Sequence, residues 1–334
     1  MFWLPPAYHK AGKSANPSWP FPKEHFLHGF RHHIRCGLVN RADIIGAESF
    51  ERGQRVEFWK MNGAGNDFIV LNNLVEKLPE AAFPALARRL CERHLSIGAD
   101  GLIVVDATQD RGDYRMRFYN SDGSLGEMCG NGARCVCRYG YETGLAGEKQ
   151  TVETTAGIVT GVRISERLYR VRLNDPSVVK LNCPVEVDGT AWPCSYVELG
   201  NPGIPHAVIP YPGLRQADET QLRELGRRLR HHPAFSKGAN VNFYELTGED
   251  TLWERTFERG VEDFTYACGT GTGSTVTVLT LQGKVSGKAV RVQMTGGELI
   301  IDAKRRGSRV ERLFLTGPTN IVCKGQVTDE DLAI

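Results

Sequence analysis

The 334 residues contain no run of about 18 apolar residues, so no segment reads as a bilayer-spanning helix. Charge of one sign is lacking too. The 41 Lys and Arg are offset by 39 Asp and Glu, and a net charge of +2 gives no basic field for nucleic acid. The nine cysteines are an odd set without paired C-x-x-C spacing, which excludes an evident disulfide framework or zinc site and fits reduced, cytoplasmic thiols. A secretory h-region is missing from the amino terminus. The glycine-rich phrases lack the Lys-Ser/Thr of a phosphate loop, and Gly12-Lys13-Ser14 has Ala7 where the upstream glycine belongs. What remains is an ordinary globular composition, 41% hydrophobic and 24% charged, long enough for two domains. The partner it fits is small and polar.

Residues 1–54 mix Pro5, Pro6, Pro17, Pro20 and Pro22 with His25, His28, His32 and His33 and hold no sustained period. They read as an N-terminal extension, disordered or not translated, with Val56 as the alternative start. Mass spectrometry of the native amino terminus separates the two, because retention of Met1 rules out the later start. From Val56 the chain is rhythmic. Short β-type runs surround a helical run at Glu80 to His94 and another after Cys129, and the second half repeats the order with helices at Glu219 to Arg230 and after Cys268. Repetition predicts duplication with pseudo-twofold symmetry: residues 55–176 plus about 311–334 in one domain and 177–310 in the other. The expected class is α/β (α+β type), each domain a curved, mostly antiparallel sheet or barrel around a central helix.

One phrase occurs twice, Cys129-Gly130-Asn131-Gly132 and Cys268-Gly269-Thr270-Gly271, each opening a helical run expected over Ala133 to Glu142 and Ser274 to Gln282. A helix start offers unpaired N–H groups and the positive end of the dipole, which favour a thiolate and bind a carboxylate. Two such thiols on opposite sides of one carbon could remove a proton from one face and return one to the other, the chemistry of an amino-acid racemase or epimerase. Lowered thiol pKa values are expected on this reading. Cys91, Cys135, Cys137, Cys183, Cys194 and Cys323 read instead as inert packing residues.

Seven motifs in order carry a family resemblance: Met61-Asn62-Gly63-Ala64-Gly65-Asn66-Asp67-Phe68, Gly98-Ala99-Asp100-Gly101, Asn120-Ser121-Asp122-Gly123-Ser124, the Cys129 phrase through Cys135, Asn240-Val241-Asn242-Phe243, Glu258-Arg259-Gly260, and Ala267 with the Cys268 phrase. From Trp59 to Asp302 the chain resembles the diaminopimelate epimerases. The resemblance implies that Cys129 and Cys268 are catalytic and that Gly130, Asn131, Gly269 and Thr270 cradle the reacting carboxylate. It implies that Asn66, Asn120, Asn201, His206, Asn240, Glu258 and Arg259 hold the rest of the substrate. Turn or capping duty is the alternative for the asparagines, strongest for Asn66 and weakest for Asn120 and Asn240.

The implied reaction interconverts LL- and meso-diaminopimelate without pyridoxal phosphate or metal, for lysine and peptidoglycan precursors. The partners expected are a small amino-acid substrate, with no nucleic acid and no membrane, and a homodimer is left open. Three departures are present: Asn62 in place of histidine, a longer Val261 to Tyr266 segment, and Gly203-Ile204-Pro205 between Asn201-Pro202 and His206, which displaces Asn201 or His206 from the site. A racemase of another amino acid such as histidine, or a catalytically silent amino-acid-binding paralogue, are the alternatives.

Overall fold

The computed structural model describes residues 56–126 and 128–328, so the readings made for residues 1–54 and the last six residues lie outside it. The first half runs β1 (Val56–Gly63), β2 (Asn66–Asn72), the one-turn α1 (Asn73–Glu76), α2 (Phe83–Cys91), β3 (Gly101–Asp106), β4 (Tyr114–Asn120), β5 (Leu125–Gly126), α3 (Gly130–Glu142), β6 (Lys149–Thr154), β7 (Gly157–Arg163) and β8 (Leu168–Arg172). The second runs β9 (Pro176–Lys180), a hairpin of β10 (Val185–Val187) and β11 (Thr190–Trp192), then β12 (Ser195–Leu199), β13 (Ile204–Pro210), α4 (Glu219–Arg230), β14 (Asn240–Gly248), β15 (Thr251–Glu258), β16 (Asp263–Thr265), α5 (Gly269–Leu281), β17 (Val290–Met294), β18 (Gly297–Arg306) and β19 (Arg309–Pro318). Strand β20 (Asn320–Val327) closes the described chain.

Strand pairing carries the duplication. In the first half the pairs β1–β2, β2–β3, β3–β4, β4–β6, β6–β7 and β7–β8 are antiparallel, parallel, antiparallel, parallel, antiparallel and antiparallel. In the second half β12–β13, β13–β14, β14–β15, β15–β17, β17–β18 and β18–β19 repeat that series in the same senses. The equivalent strands β8 and β19 pair with each other, Phe314 opposite Arg172 and Leu315 opposite Val171, so the pseudo-twofold axis runs through this joint. Strand β20 returns to pair antiparallel with β1.

Each half-sheet is covered on both faces, which explains its runs of consecutive apolar residues. Along β3, Ile103 and Val105 point inward to the core around α3, while Leu102 and Val104 point outward under α2. In β14, Val241 and Phe243 face outward to the α4 side and Tyr244 inward. The period of two therefore turns Asn240 and Asn242 inward, toward α5. By the same parity His206, Glu254, Thr256 and Glu258 belong to that inner face, because their neighbours Ala207 and Phe257 lie in the outer core. The polar groups are concentrated on this surface by alternation alone.

Both central helices begin earlier than the sequence predicts, at Gly130 rather than Ala133 and at Gly269 rather than Ser274. Glycine is a poor helix former, and the Gly-rich first turns hid the starts. Packing overrides propensity here: a Cβ built on Gly130 would lie 2.9 Å from Leu315 Cδ2, and one on Gly269 only 2.7 Å from the same atom.

Candidate active site

Cys129 and Cys268 occupy the same position on equivalent helices. Each is the residue before the first helical turn, with φ/ψ of −116°/116° and −122°/104°. Those first turns abut across the pseudo-twofold axis, since a Cβ on Gly130 would stand 3.9 Å from the Cα of Gly269. Two helix amino termini thus converge on one place, their free N–H groups and dipoles summed there. Cys268 Sγ accepts from Gly271 N at 3.4 Å and lies 3.5 Å from Thr270 Oγ1. Cys129 is half-buried; its sulfur makes no such capping hydrogen bond, but the backbone N–H groups of Gly132 and Asn131 still favour its thiolate.

The expectation of depressed thiol pKa values is reversed. Burial is the largest influence on both sulfurs and pushes both up, Cys268 well above the ordinary thiol value, and the negative charge of Glu258 adds to the rise at each. The helix N–H groups pull in the expected direction and lose to desolvation. Glu258 itself is pushed up by burial, with the nearby Thr265 hydroxyl opposing the rise. The pair therefore rests as neutral thiols, suited first to donating a proton.

Asn131 ties the halves together. Its Nδ2 donates to Ala267 O at 3.1 Å, across the joint, and to Asn66 Oδ1. Asn66 in turn donates to Asp100 Oδ2 at 3.1 Å, so it serves the site's framework rather than a local turn. Turn duty falls on Asn120 instead, whose Nδ2 donates to Ser124 Oγ at 2.9 Å, at the end of β4. Asn240 Oδ1 accepts from Arg259 N at 2.8 Å and its Nδ2 donates to Pro205 O, so it fixes the backbone from which Arg259 projects. The exposed Arg259 guanidinium donates to Lys237 O and meets no carboxylate among the described residues.

The lengthened loop separates Asn201 from His206. Asn201 is exposed and lines a cleft of about 270 Å³ between the halves, with Met128 and Ala156 on one side and Ile204 and Thr270 on the other. His206 is fully buried one layer down, its Nδ1 3.2 Å from Asn242 Nδ2. Burial lowers its pKa to about 3, which keeps the ring neutral. At the other two departures, Asn62 Oδ1 accepts from Gly65 N within the β1–β2 turn, and Tyr266 packs so closely that a Cβ on Gly65 would lie 2.4 Å from its own Cβ.

Three residues near the thiols escaped the sequence reading. Asn242 accepts from Thr256 Oγ1 at 3.0 Å through Oδ1 and supports the Gly271 turn. Arg134, wholly buried, donates to Gly130 O and to Asn131 Oδ1 at 3.0 Å. Glu254 lies fully buried beneath α5, accepting from Thr275 Oγ1, and burial lifts its carboxyl to about 7. Inward parity on β14 and β15 was the signal that could have found Asn242 and Glu254.

Glu254 gives a pH prediction. Its folded pKa exceeds the unfolded value, so its contribution to stability is whole below about pH 4.5 and is lost as pH rises through 7. At about 1.4 kcal/mol per unit the loss is of order 3 kcal/mol. Urea midpoints measured from pH 5 to pH 8 are expected to fall in the wild type and to flatten in Glu254→Gln. A slope that the substitution leaves unchanged would contradict this assignment.

The chain matches known proteins along most of its length. The profile of the family described as diaminopimelate epimerase matches residues 58–176 and 199–322. The diaminopimelate epimerase of Aquifex aeolicus is 38% identical over 287 residues, spanning 83% of this chain and 99% of that protein. That of Methanothrix thermoacetophila is 38% identical over 286 residues, spanning 83% and 98%. Among solved structures, a hydroxyproline epimerase from Agrobacterium vitis aligns with a TM-score of 0.61 at 17% identity, covering 84% of this chain and 94% of that one. A phenazine biosynthesis protein of the PhzF family from Enterococcus faecalis aligns at 0.58 and 14%, covering 82% and 99%. At such identities these two share the fold alone. On the profile and the close relatives together, the chain belongs to the diaminopimelate epimerase family.

Proposed function

We propose that this isomerase interconverts LL- and meso-diaminopimelate by proton transfer between Cys129 and Cys268. The observation that carries the reading is the contact of two helix amino termini, each preceded by a cysteine. The substrate's α-carboxylate would sit on the N–H groups of Gly130, Asn131, Gly269 and Thr270, where the charge spreading from Cα is stabilised. Its α-ammonium would neutralise Glu258, removing one of the two influences that hold the thiols up. With that influence gone one thiol releases its proton to solvent, and the resulting thiolate takes the Cα proton as the C–H bond breaks. The other gives its own proton to the opposite face, so the two exchange roles with substrate handedness. The scheme requires neither pyridoxal phosphate nor a metal ion.

Arg259, free of any carboxylate partner among the described residues, suits the distal carboxylate, with Asn66, Asn120, Asn201 and Asn240 completing the substrate set and His206 acting through Asn242. We assign the site to the seam between residues 55–176 with about 311–334 and residues 177–310, a division supported by the return of β20 to β1. The eight cysteines among the described residues are all free, which supports a cytoplasmic location. Among those residues no helix is long and apolar enough to cross a membrane.

Incubation in heavy water with diaminopimelate, and separately with single amino acids, tests the reading. Deuterium at Cα of diaminopimelate alone is expected. Exchange only with another amino acid would establish a different racemase, and no exchange under reducing conditions would leave a binding protein. Arg259→Met is expected to raise KM for diaminopimelate by roughly tenfold with kcat less affected, the signature of lost uniform binding. An unchanged KM would remove Arg259 from the substrate set.

A further inference from the structure

A second thiol pair stands outside the proposed site. The β10–β11 hairpin turns at Asp188-Gly189, both with positive φ, and its register places Val185 opposite Trp192 and Val187 opposite Thr190. Two steps further along the same register Cys183 faces Cys194, and Cys183 N donates to Cys194 O at 2.8 Å. Antiparallel neighbours joined in this way have Cα atoms about 5.5 Å apart, inside the range of about 4.4–6.8 Å that a disulfide spans. The intervening Pro184 and Pro193 fall at the position where the ladder asks for no N–H, and they stiffen the two arms.

The side chains share one face of the hairpin and each sulfur influences the other's ionisation, while Cys183 Sγ donates to Lys180 O at 3.6 Å and Cys194 Sγ to Ser195 O at 3.5 Å. Cys183 is half-buried, and Cys194, buried, lines a cavity of about 430 Å³ beside Val278 of α5 and Gln282 just past its end. Their surroundings divide the labour. The neighbouring Cys194 thiol draws the pKa of Cys183 down, while the Cys183 sulfur and burial hold Cys194 up. An accessible nucleophile beside a resolving thiol is the arrangement of a redox-reactive pair. Elsewhere burial pushes Cys91, Cys135 and Cys137 up to about 12, and both site cysteines are raised too.

We propose that Cys183 and Cys194 form a reversible disulfide, oxidised by small-molecule disulfides ahead of Cys129 and Cys268. The Cys183 thiolate attacks one sulfur of the oxidant; its S–S bond breaks and one thiolate leaves, taking a proton from water. Cys194 releases its proton to solvent and attacks Cys183 Sγ, expelling the second thiolate. Two protein thiols are thereby oxidised to one disulfide and the oxidant is reduced to two thiols. The bridge fastens the base of a hairpin that lies between the two segments matched by the family profile, residues 58–176 and 199–322.

The full chain, treated with oxidised glutathione at neutral pH and mapped by non-reducing peptide mass spectrometry over time, decides the matter. A Cys183–Cys194 linked peptide, two hydrogens lighter and reversed by dithiothreitol, is expected before any change at Cys129 or Cys268. Cys194→Ser is expected to trap glutathione on Cys183, and Cys183→Ser to leave Cys194 unmodified over the same interval. The proposal fails if Cys183 and Cys194 stay reduced after the site thiols have reacted, or if glutathione remains on Cys183 of the wild type unresolved. Neither outcome depends on which amino acid the enzyme turns over.

Discussion

Cys129→Ala and Cys268→Ala are each expected to lower kcat/KM by on the order of 10² to 10⁴, the range that a positioned acid or base contributes. Each sulfur serves as base for one substrate hand and acid for the other, so either loss stops epimerisation in both directions. The double variant is expected to be no worse than either single one, because groups that act as a unit are strongly non-additive. Both cysteines precede glycines packed against Leu315, and alanine removes only a sulfur at the edge of the joint, so the fold should survive. Progress curves from both stereoisomers, with circular dichroism as the folding control, measure this. Full turnover by either single variant, or losses that multiply in the double, would refute a shared proton-transfer pair.

Alternation and capping made most of the fold legible. Helix α4 spans Glu219–Arg230 as expected, because Asp218 caps it through Gln221 N and three arginines close it against the dipole. Strands β4 and β12 likewise match, since their polar ends mark them. The starts of α3 and α5 were missed because local propensity argues against glycine, whereas the requirement for it is tertiary: Leu315 of β19, distant in sequence from both, leaves no room for a Cβ at Gly130 or Gly269. The exchange of duty between Asn66 and Asn120 has the same origin. Asn66 looks like a turn residue beside Gly65, yet its partner is Asn131, 65 positions away. Thiol acidity failed for a different reason: helix position is visible in a sequence, but the burial that outweighs it is not. The hairpin of Cys183 and Cys194 was readable in principle, since Asp188-Gly189 is a strong two-residue turn signal and the flanking residues pair about it.

Arg134 offers the second large effect. Its guanidinium is wholly buried, it forms no ion pair among the described residues, and its Nε meets no acceptor. Burial lowers its pKa only to about 10, so it remains charged at neutral pH. An unpaired cation in that position costs the fold several kcal/mol by desolvation. Its field opposes the rise at Cys129, and it stands behind the helix start that would hold the substrate carboxylate. Negative charge arriving there, on a sulfur or on the substrate, offsets the cost, which makes Arg134 a charge-positioning group rather than a structural one. Arg134→Met, close in volume and uncharged, is therefore expected to leave Tm unchanged or raised while lowering kcat by about 10² to 10³, the loss seen when one preorganised electrostatic stabiliser is removed. The limb of the pH–rate profile that reports thiol ionisation should move to higher pH, which lost packing alone would not produce. Arg134→Lys keeps the charge without the fork and should recover part of kcat. A variant that loses stability and activity together, with an unshifted pH profile, would return Arg134 to a purely structural role.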